Sequence, residues 1–274
     1  MPGEDVLYIV DGPVALVTLN RPQYRNAQSY QLLDELDAAL DRAVADEAVK
    51  VVVVTGAGAH FSSGHDLGTP ESVTDRERRG IPAEGLGFYE PFRHYNYTIT
   101  QKWRDLPKPT IAMVRGYCIY GGWMIASAMD LVFAEEGAQF LAGLVEYFSV
   151  PWDIGYRRTK ELLFESRFID AREAQTMGFV SRVVPAERLE EETMAYARRV
   201  AENSTTALRM SKLAVNRMQD HAGYSASVEA AFHDYLVMSH SRGVGRVEGV
   251  RRLGGVDLAI RGLRGQRSGQ VGDG

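Results

Sequence analysis

Two short β-rich runs open the chain, residues 6–10 and 14–19, separated by Asp11-Gly12-Pro13. Asp-Gly favours the positive φ of a hairpin turn, so the pattern predicts an opening β-hairpin. Ser29 then stands where it can cap a helix whose apolar residues fall at Leu32, Leu33, Leu36, Leu40 and Val44. The following run, 50–54, is almost pure valine, as expected of a strand covered on both faces. Strand, helix and buried strand make a βαβ unit with a right-handed crossover. Residues 55–91 are rich in Gly, Ser, Pro and charge and read as a long loop, functional or mobile. Further on, 92–105 reads as helix, 110–114 as an apolar strand, 121–129 as a short helix and 131–134 as another strand. The stretches 186–202, 205–219 and 225–239 all carry apolar residues at helical spacing. The pattern predicts an α/β fold: a core over 1–184, a helical region over 185–253, and a frayed tail over 254–274 with seven glycines and several arginines.

Length and charge narrow the class. At 274 residues the chain can bury a sizeable core without staples, and its formal charge of −5 argues against a nucleic-acid partner. Cys118 is the only cysteine, which excludes an internal disulfide and a cysteine-built zinc site and fits a reducing, cytoplasmic setting. No basic-then-apolar leader is visible, and no apolar run exceeds five residues, far below the ~18 that a membrane span needs.

Two loops can carry chemistry. Gly56-Ala57-Gly58-Ala59-His60-Phe61-Ser62-Ser63-Gly64-His65-Asp66-Leu67 directly follows the valine strand, but matches neither the dinucleotide fingerprint nor a P-loop. Its glycines would let backbone N–H groups approach a ligand. The second segment runs from Lys108-Pro109 through Gly116-Tyr117 to Tyr120-Gly121-Gly122-Trp123, ending at a predicted helix start. The free N–H groups there can hold negative charge developing on an oxygen, although a Gly-Gly helix start can equally serve packing.

Together the two loops resemble the signature segments of the crotonase (enoyl-CoA hydratase/isomerase) superfamily. Leu19-Asn20-Arg21-Pro22 with Asn26-Ala27, then Ser63-Gly64-His65-Asp66-Leu67, then Lys108-Pro109…Gly121-Gly122 follow that family's order. Ala171-Arg172-Glu173-Ala174, Gly178-Phe179-Val180, Val184-Pro185, Asn203-Ser204 and Lys212 continue it. The resemblance implies a crotonase-like spiral of ββα units with C-terminal helices, a homotrimer or dimer of trimers, and a coenzyme A thioester as substrate. It implies no permanently bound cofactor and no metal. By position, the backbone amides of His65 and Gly121 would form an oxyanion hole for an enolate, with Gly64 and Gly122 beside them. Arg25, with Arg21 and Lys102, would face the nucleotide. Tyr120 and Trp123 would shape the acyl pocket, together with Phe88, Tyr89, Phe92, Tyr95 and Tyr97, unless core packing claims them. Asp66 is either a ligand contact or a loop-capping carboxylate. Cys118 reads as an inert thiol and Asp130 as structural.

The sequence also departs from the hydratase pattern. The first of the family's two proton-handling glutamates falls on Met124, which transfers no proton. The second falls on Leu144 without a gap, or on Glu146 if the gap is placed to put Val145-Glu146 at the family's Pro-Glu. Glu146 is thus either catalytic or a solvated carboxylate. His65, where the family usually has alanine, could transfer a proton or be a plain polar loop residue. Asp153, in Pro151-Trp152-Asp153-Ile154-Gly155, could act as nucleophile or base, or cap the helix that follows. Three functions stay open: an acyl-CoA lyase or isomerase, a C–C bond hydrolase on the same fold, and a non-catalytic acyl-CoA-binding subunit.

Overall fold

A computed structural model of the chain describes residues 4–82, 85–241 and 260. β1 (Val6–Asp11) and β2 (Val14–Leu19) form the expected antiparallel hairpin, Val6 opposite Leu19 and Asp11 opposite Val14. α1 (Tyr30–Ala45) starts at Ser29, whose hydroxyl accepts from the Leu32 amide at 3.1 Å, and buries Leu32, Leu33, Leu36 and Leu40. β3 (Val51–Gly56) lies parallel to β2 with every residue buried. Each valine enclosed this way contributes about 1.5–3 kcal/mol.

The stretch read from sequence as a loop holds two helices, α2 (Pro70–Arg78) and α3 (Leu86–Arg93). α2 escapes a hydrophobic-period reading because it has no apolar stripe. Ion pairs hold it instead: Arg79 bonds Asp75 of α2 at 2.7 Å and Asp34 of α1 at 2.5 Å. α3 passes through a π-helical turn at His94–Thr98 into α4 (Ile99–Arg104), so the predicted helix over 92–105 is the end of a longer, interrupted one.

From there the chain spirals. β4 (Thr110–Val114), β6 (Leu131–Glu135) and β9 (Arg182–Val184) join a large sheet of order β1-β2-β3-β4-β6-β9, parallel from β2 onward. β5 (Tyr117–Ile119), β7 (Gln139–Leu141) and β8 (Ile169–Asp170) form a second, three-stranded sheet. α5 (Gly121–Ala128) and α8 (Ala171–Met177) connect the two, while α6 (Val150–Ile154) and α7 (Tyr156–Glu165) lie between β7 and β8. This is the expected spiral of ββα units. α9 (Leu189–Ala201) covers the outer face of the large sheet, packing Leu189, Met194 and Ala197 on Val51, Val53 and Phe133. α10 (Thr205–His221) and α11 (Tyr224–Ser241) follow, and α11 sends Val228 and Phe232 into a cluster with Tyr97, Met124 and Tyr147. Apart from Ile260, the tail expected over 254–274 lies outside the described residues. Among the described residues, no helix is long and apolar enough to cross a membrane.

Candidate active site

The loop after β3 is held by the Asn20-Arg21-Pro22…Asn26-Ala27 motif. Asn26 donates from Nδ2 to the carbonyls of Ala57 (3.0 Å) and His60 (2.7 Å), while its Oδ1 accepts from the Arg21 amide. Arg21 is buried and bonds Asp66 Oδ2 at 2.8 Å and the Ala27 carbonyl at 2.6 Å. Asp66 also accepts from the Gly68 and Thr69 amides and the Thr69 hydroxyl. Burial pulls its pKa upward, but these donors and Arg21 outweigh it and hold the carboxyl below its ordinary range. Asp66 is therefore spent on anchoring the loop.

Once anchored, the loop presses its amides against the start of α5. Gln28 N donates to the Gly64 carbonyl and Asp66 N to the Gln28 carbonyl, so the residue between them, His65, turns its own N–H the other way. Neither His65 N nor Gly121 N has a hydrogen-bond partner among the described residues. Gly64 sits at φ +90°, and a Cβ there would lie 2.8 Å from the Ile119 carbonyl and 3.2 Å from Gly121 N. Only glycine permits this approach. Tyr120, just before the helix, takes φ +47°, a strained value for a side-chain-bearing residue. Two unpaired amides thus meet at one place, one of them at a helix N-terminus.

Beside them lies a cavity of about 450 Å³, whose lining includes Gln28, Tyr30, His65, Phe92, Asn96 and Glu146. His65 Nε2 stands 3.6 Å from Glu146 Oε2, and neither buried atom has a hydrogen-bond partner among the described residues. The Gln28 carboxamide and His65 ring also cover Gly121, where a Cβ would meet Gln28 Oε1 at 2.5 Å and His65 Cε1 at 3.0 Å. An imidazole and a carboxylate with free lone pairs, next to two free amides, can move a proton near an oxygen that gathers negative charge.

The profile of the enoyl-CoA hydratase/isomerase family matches residues 10–250. The chain belongs to this family. EchA13 of Mycobacterium tuberculosis, provisionally named an enoyl-CoA hydratase, is 39% identical over 244 residues, covering 82% of this chain and 76% of that protein. A crystal structure from Mycobacterium thermoresistibile, under a similarly provisional hydratase name, shares 37% identity with a TM-score of 0.79 over 88% of this chain and 99% of that one. A structure described as a monofunctional enoyl CoA isomerase from M. smegmatis shares 30% identity with a TM-score of 0.65, over 80% and 95% of the two chains.

Within this enoyl-CoA hydratase/isomerase framework, the flagged residues separate. His65, Gly64, Gly121 and Glu146 come together. Met124 is buried against Tyr97, Tyr147 and Phe232, so no proton donor stands at the position of the first glutamate. Asp153 lies in α6 rather than at the start of α7, where Gly155 is the cap residue. Its carboxyl accepts from Trp123 Nε1 and lines a different cavity from His65 and Glu146. Trp123 stacks on Phe179 at 3.9 Å, inside the core. The Tyr120 ring lies over Gly143, and Gly122 lets α5 approach the Ser62 carbonyl, where a Cβ would sit at 2.8 Å. Of the three basic residues, Arg21 is tied to Asp66 and Lys102 to Asp37 and Asp41; Arg25 is exposed, with no ion pair among the described residues. Phe92 alone of the flagged aromatics lines the cavity; Tyr89 and Tyr97 pack in the cluster around Met124, and Tyr95 hydrogen-bonds Arg79. Asp130 pairs with Lys212 at 2.9 Å and accepts from Thr110, a structural role, and burial pushes the Cys118 thiol well up. Gln28, Tyr30 and Asn96 were not foreseen. Asn96 had one available signal, a polar residue inside a predicted helix, and the π-helical turn is what aims it at the cavity.

Proposed function

We propose that this acyl-CoA enzyme hydrates or isomerises an enoyl-CoA, with the His65–Glu146 pair handling the proton. The reading rests on that pair: an imidazole nitrogen and a carboxylate oxygen 3.6 Å apart, neither hydrogen-bonded among the described residues, facing one cavity beside two free amides. The thioester oxygen would accept from His65 N and Gly121 N as α-carbon charge moves onto it, each donor being worth about 3–4 kcal/mol. In isomerisation, one base takes a proton from C2 and returns it at C4. In hydration, the base takes a proton from water as oxygen bonds C3, and a proton is delivered to C2. With Met124 at the first glutamate position, both proton tasks fall to this pair. Arg25 would meet a CoA phosphate. We extend the same reading to assembly as a trimer or dimer of trimers and to a cytoplasmic location, as the resemblance and the lone cysteine suggest.

The test is turnover of crotonyl-CoA and of a 3-enoyl-CoA by the parent, Glu146→Gln and His65→Ala. Loss of at least about a hundredfold in kcat in Glu146→Gln is expected, the size of a general acid–base contribution. Full turnover by Glu146→Gln would overturn the role of the pair. Met124 is the observation that favours C–C bond hydrolysis as a second reading. Cleavage of a cyclic β-diketone with no crotonyl-CoA turnover would establish it in place of the first. Thioester binding without α-proton exchange would mark a non-catalytic subunit.

A further inference from the structure

Asp153 is half-buried beside the helix that starts at Gly121, and among the described residues no lysine or arginine pairs with it. Its Oδ2 accepts from Trp123 Nε1 at 2.9 Å and lies 2.9 Å from the Ser149 hydroxyl. Burial pushes its pKa up to about 7 against these two hydrogen bonds. The titratable or charged groups facing it are the phenols of Tyr147 and Tyr224, with Arg104, Asp130 and Lys212 lining the same cavity of about 600 Å³. Desolvating a carboxyl costs stability, and what its hydrogen bonds hold in place offsets that cost.

The reason lies in α5. Trp123 is the third residue of that helix, two after Gly121. Its indole plane is set by Phe179, stacked at 3.9 Å and 8°, and by the edge of Phe140, at 6.2 Å and 84°. Packing sets the plane of the ring, and among the described residues the Nε1–Asp153 bond is its one directional contact within that plane. Ser149, which touches the same Oδ2, also stands 2.8 Å from the hydroxyl of Ser127, the seventh residue of α5. α5 is thus gripped near both ends, by Asp153 of α6 and by Ser149 just before it. At its N-terminus the tolerance is small, with Gln28, His65 and Ser62 all closing on Gly121 and Gly122.

We infer that Asp153 is a positioning residue: through Trp123 it holds α5 so that the Gly121 amide points at the thioester oxygen. This rests on the proposed enolate chemistry. It differs from a role as nucleophile or base, because the carboxyl faces another cavity from His65 and Glu146. Errors of about 1 Å in such alignments cost up to ~100-fold in rate, so a loosened brace should cost less than a deleted donor but remain measurable.

The experiment reads enolate formation directly, as α-proton exchange of butyryl-CoA in D2O at saturation, alongside its Kd, at matched folded fraction. Trp123→Phe removes the donor together with part of the buried ring, keeping an aromatic face for Phe179; Asp153→Ala removes the acceptor; Asp153→Asn keeps an oxygen acceptor. Trp123→Phe and Asp153→Ala should each slow exchange about tenfold with Kd within about twofold, and their combination should be no slower than either alone, since both break one link. Asp153→Asn should stay within about threefold of the parent. Exchange by Trp123→Phe within twofold of the parent, or additive losses in the double variant, would overturn the brace. If Asp153→Ala does not fold, the Trp123→Phe result decides. A parent that exchanges no α-protons would instead overturn the enolate reading on which the brace depends.

Discussion

At the scale of single residues, environment outweighs identity. Three carboxylates flagged in the sequence have three fates. Asp66 is surrounded by donors and tied to Arg21, Glu146 is left with a bare oxygen facing His65, and Asp153 is half-buried beside an indole. The last has a consequence for stability. The folded pKa of about 7 lies above the ordinary 3.8, so between these values the folded protein keeps a proton that the unfolded chain has released. Stability from this group is therefore greatest below about pH 4, falls as pH rises toward 7, and levels off above it. Asp153→Asn has no such titration. Its stability relative to the parent should rise between pH 5 and pH 8 by at least ~1.4 kcal/mol, the equivalent of one pKa unit, in urea unfolding at the two pH values. An unchanged difference would mean that the carboxyl is as well solvated folded as unfolded.

At the scale of elements, the site depends on one helix start and one loop pressed together. Proline suits the first position of a helix, so Gly121→Pro can keep the α5 backbone while deleting its first N–H; its ring displaces Gln28 and His65, a displacement that Gly121→Ala makes with the N–H kept, so the two variants are compared. Loss of that donor should lower kcat by about a hundred- to a thousandfold with less effect on CoA affinity. A folded Pro variant within about threefold of the parent would deny the amide its role, that factor being only ~0.65 kcal/mol of barrier. Gly64→Ala tests the opposing loop. Its methyl would meet the Ile119 carbonyl at 2.8 Å from a backbone at φ +90°. A loss of about 1–3 kcal/mol in stability is expected from thermal or urea unfolding.

At the scale of the whole molecule, α10 has no fully buried residue among the described residues, and Met210 and Met218 are more than half exposed on it. Scattered exposed hydrophobics are ordinary, but a 17-residue helix that buries only the Lys212 side chain, and no apolar one, lacks the usual means of stability. The proposed trimer would supply it. Sedimentation velocity should show a species of three or six chain masses, and Met218→Glu should shift it toward smaller species. A parent that sediments as a monomer at micromolar concentration would sink the assembly.

The sequence by itself determined the family, the strands β1 to β4 and β6 with the helices α1, α5 and α9 to α11, and the two glycine-bearing loops. These depend on short-range causes: the valine run of β3, the Ser29 cap, and glycines whose backbone approach no other residue permits. It also singled out His65 and Glu146, but not that they meet. Their encounter depends on β5 and β7 pairing in the small sheet and on the loop bonds of Asn26 and Arg21, all between residues far apart in the chain. Helix α2 stayed hidden because ion pairs, not a hydrophobic period, hold it. Asp153 was legible as a carboxylate in an unusual loop, yet which neighbour it serves was decided only when folding set Trp123 against it. Local pattern specifies the elements. The partners of a buried polar group are set by packing between elements, because its hydrogen bonds are made with whatever folding brings within about 3 Å.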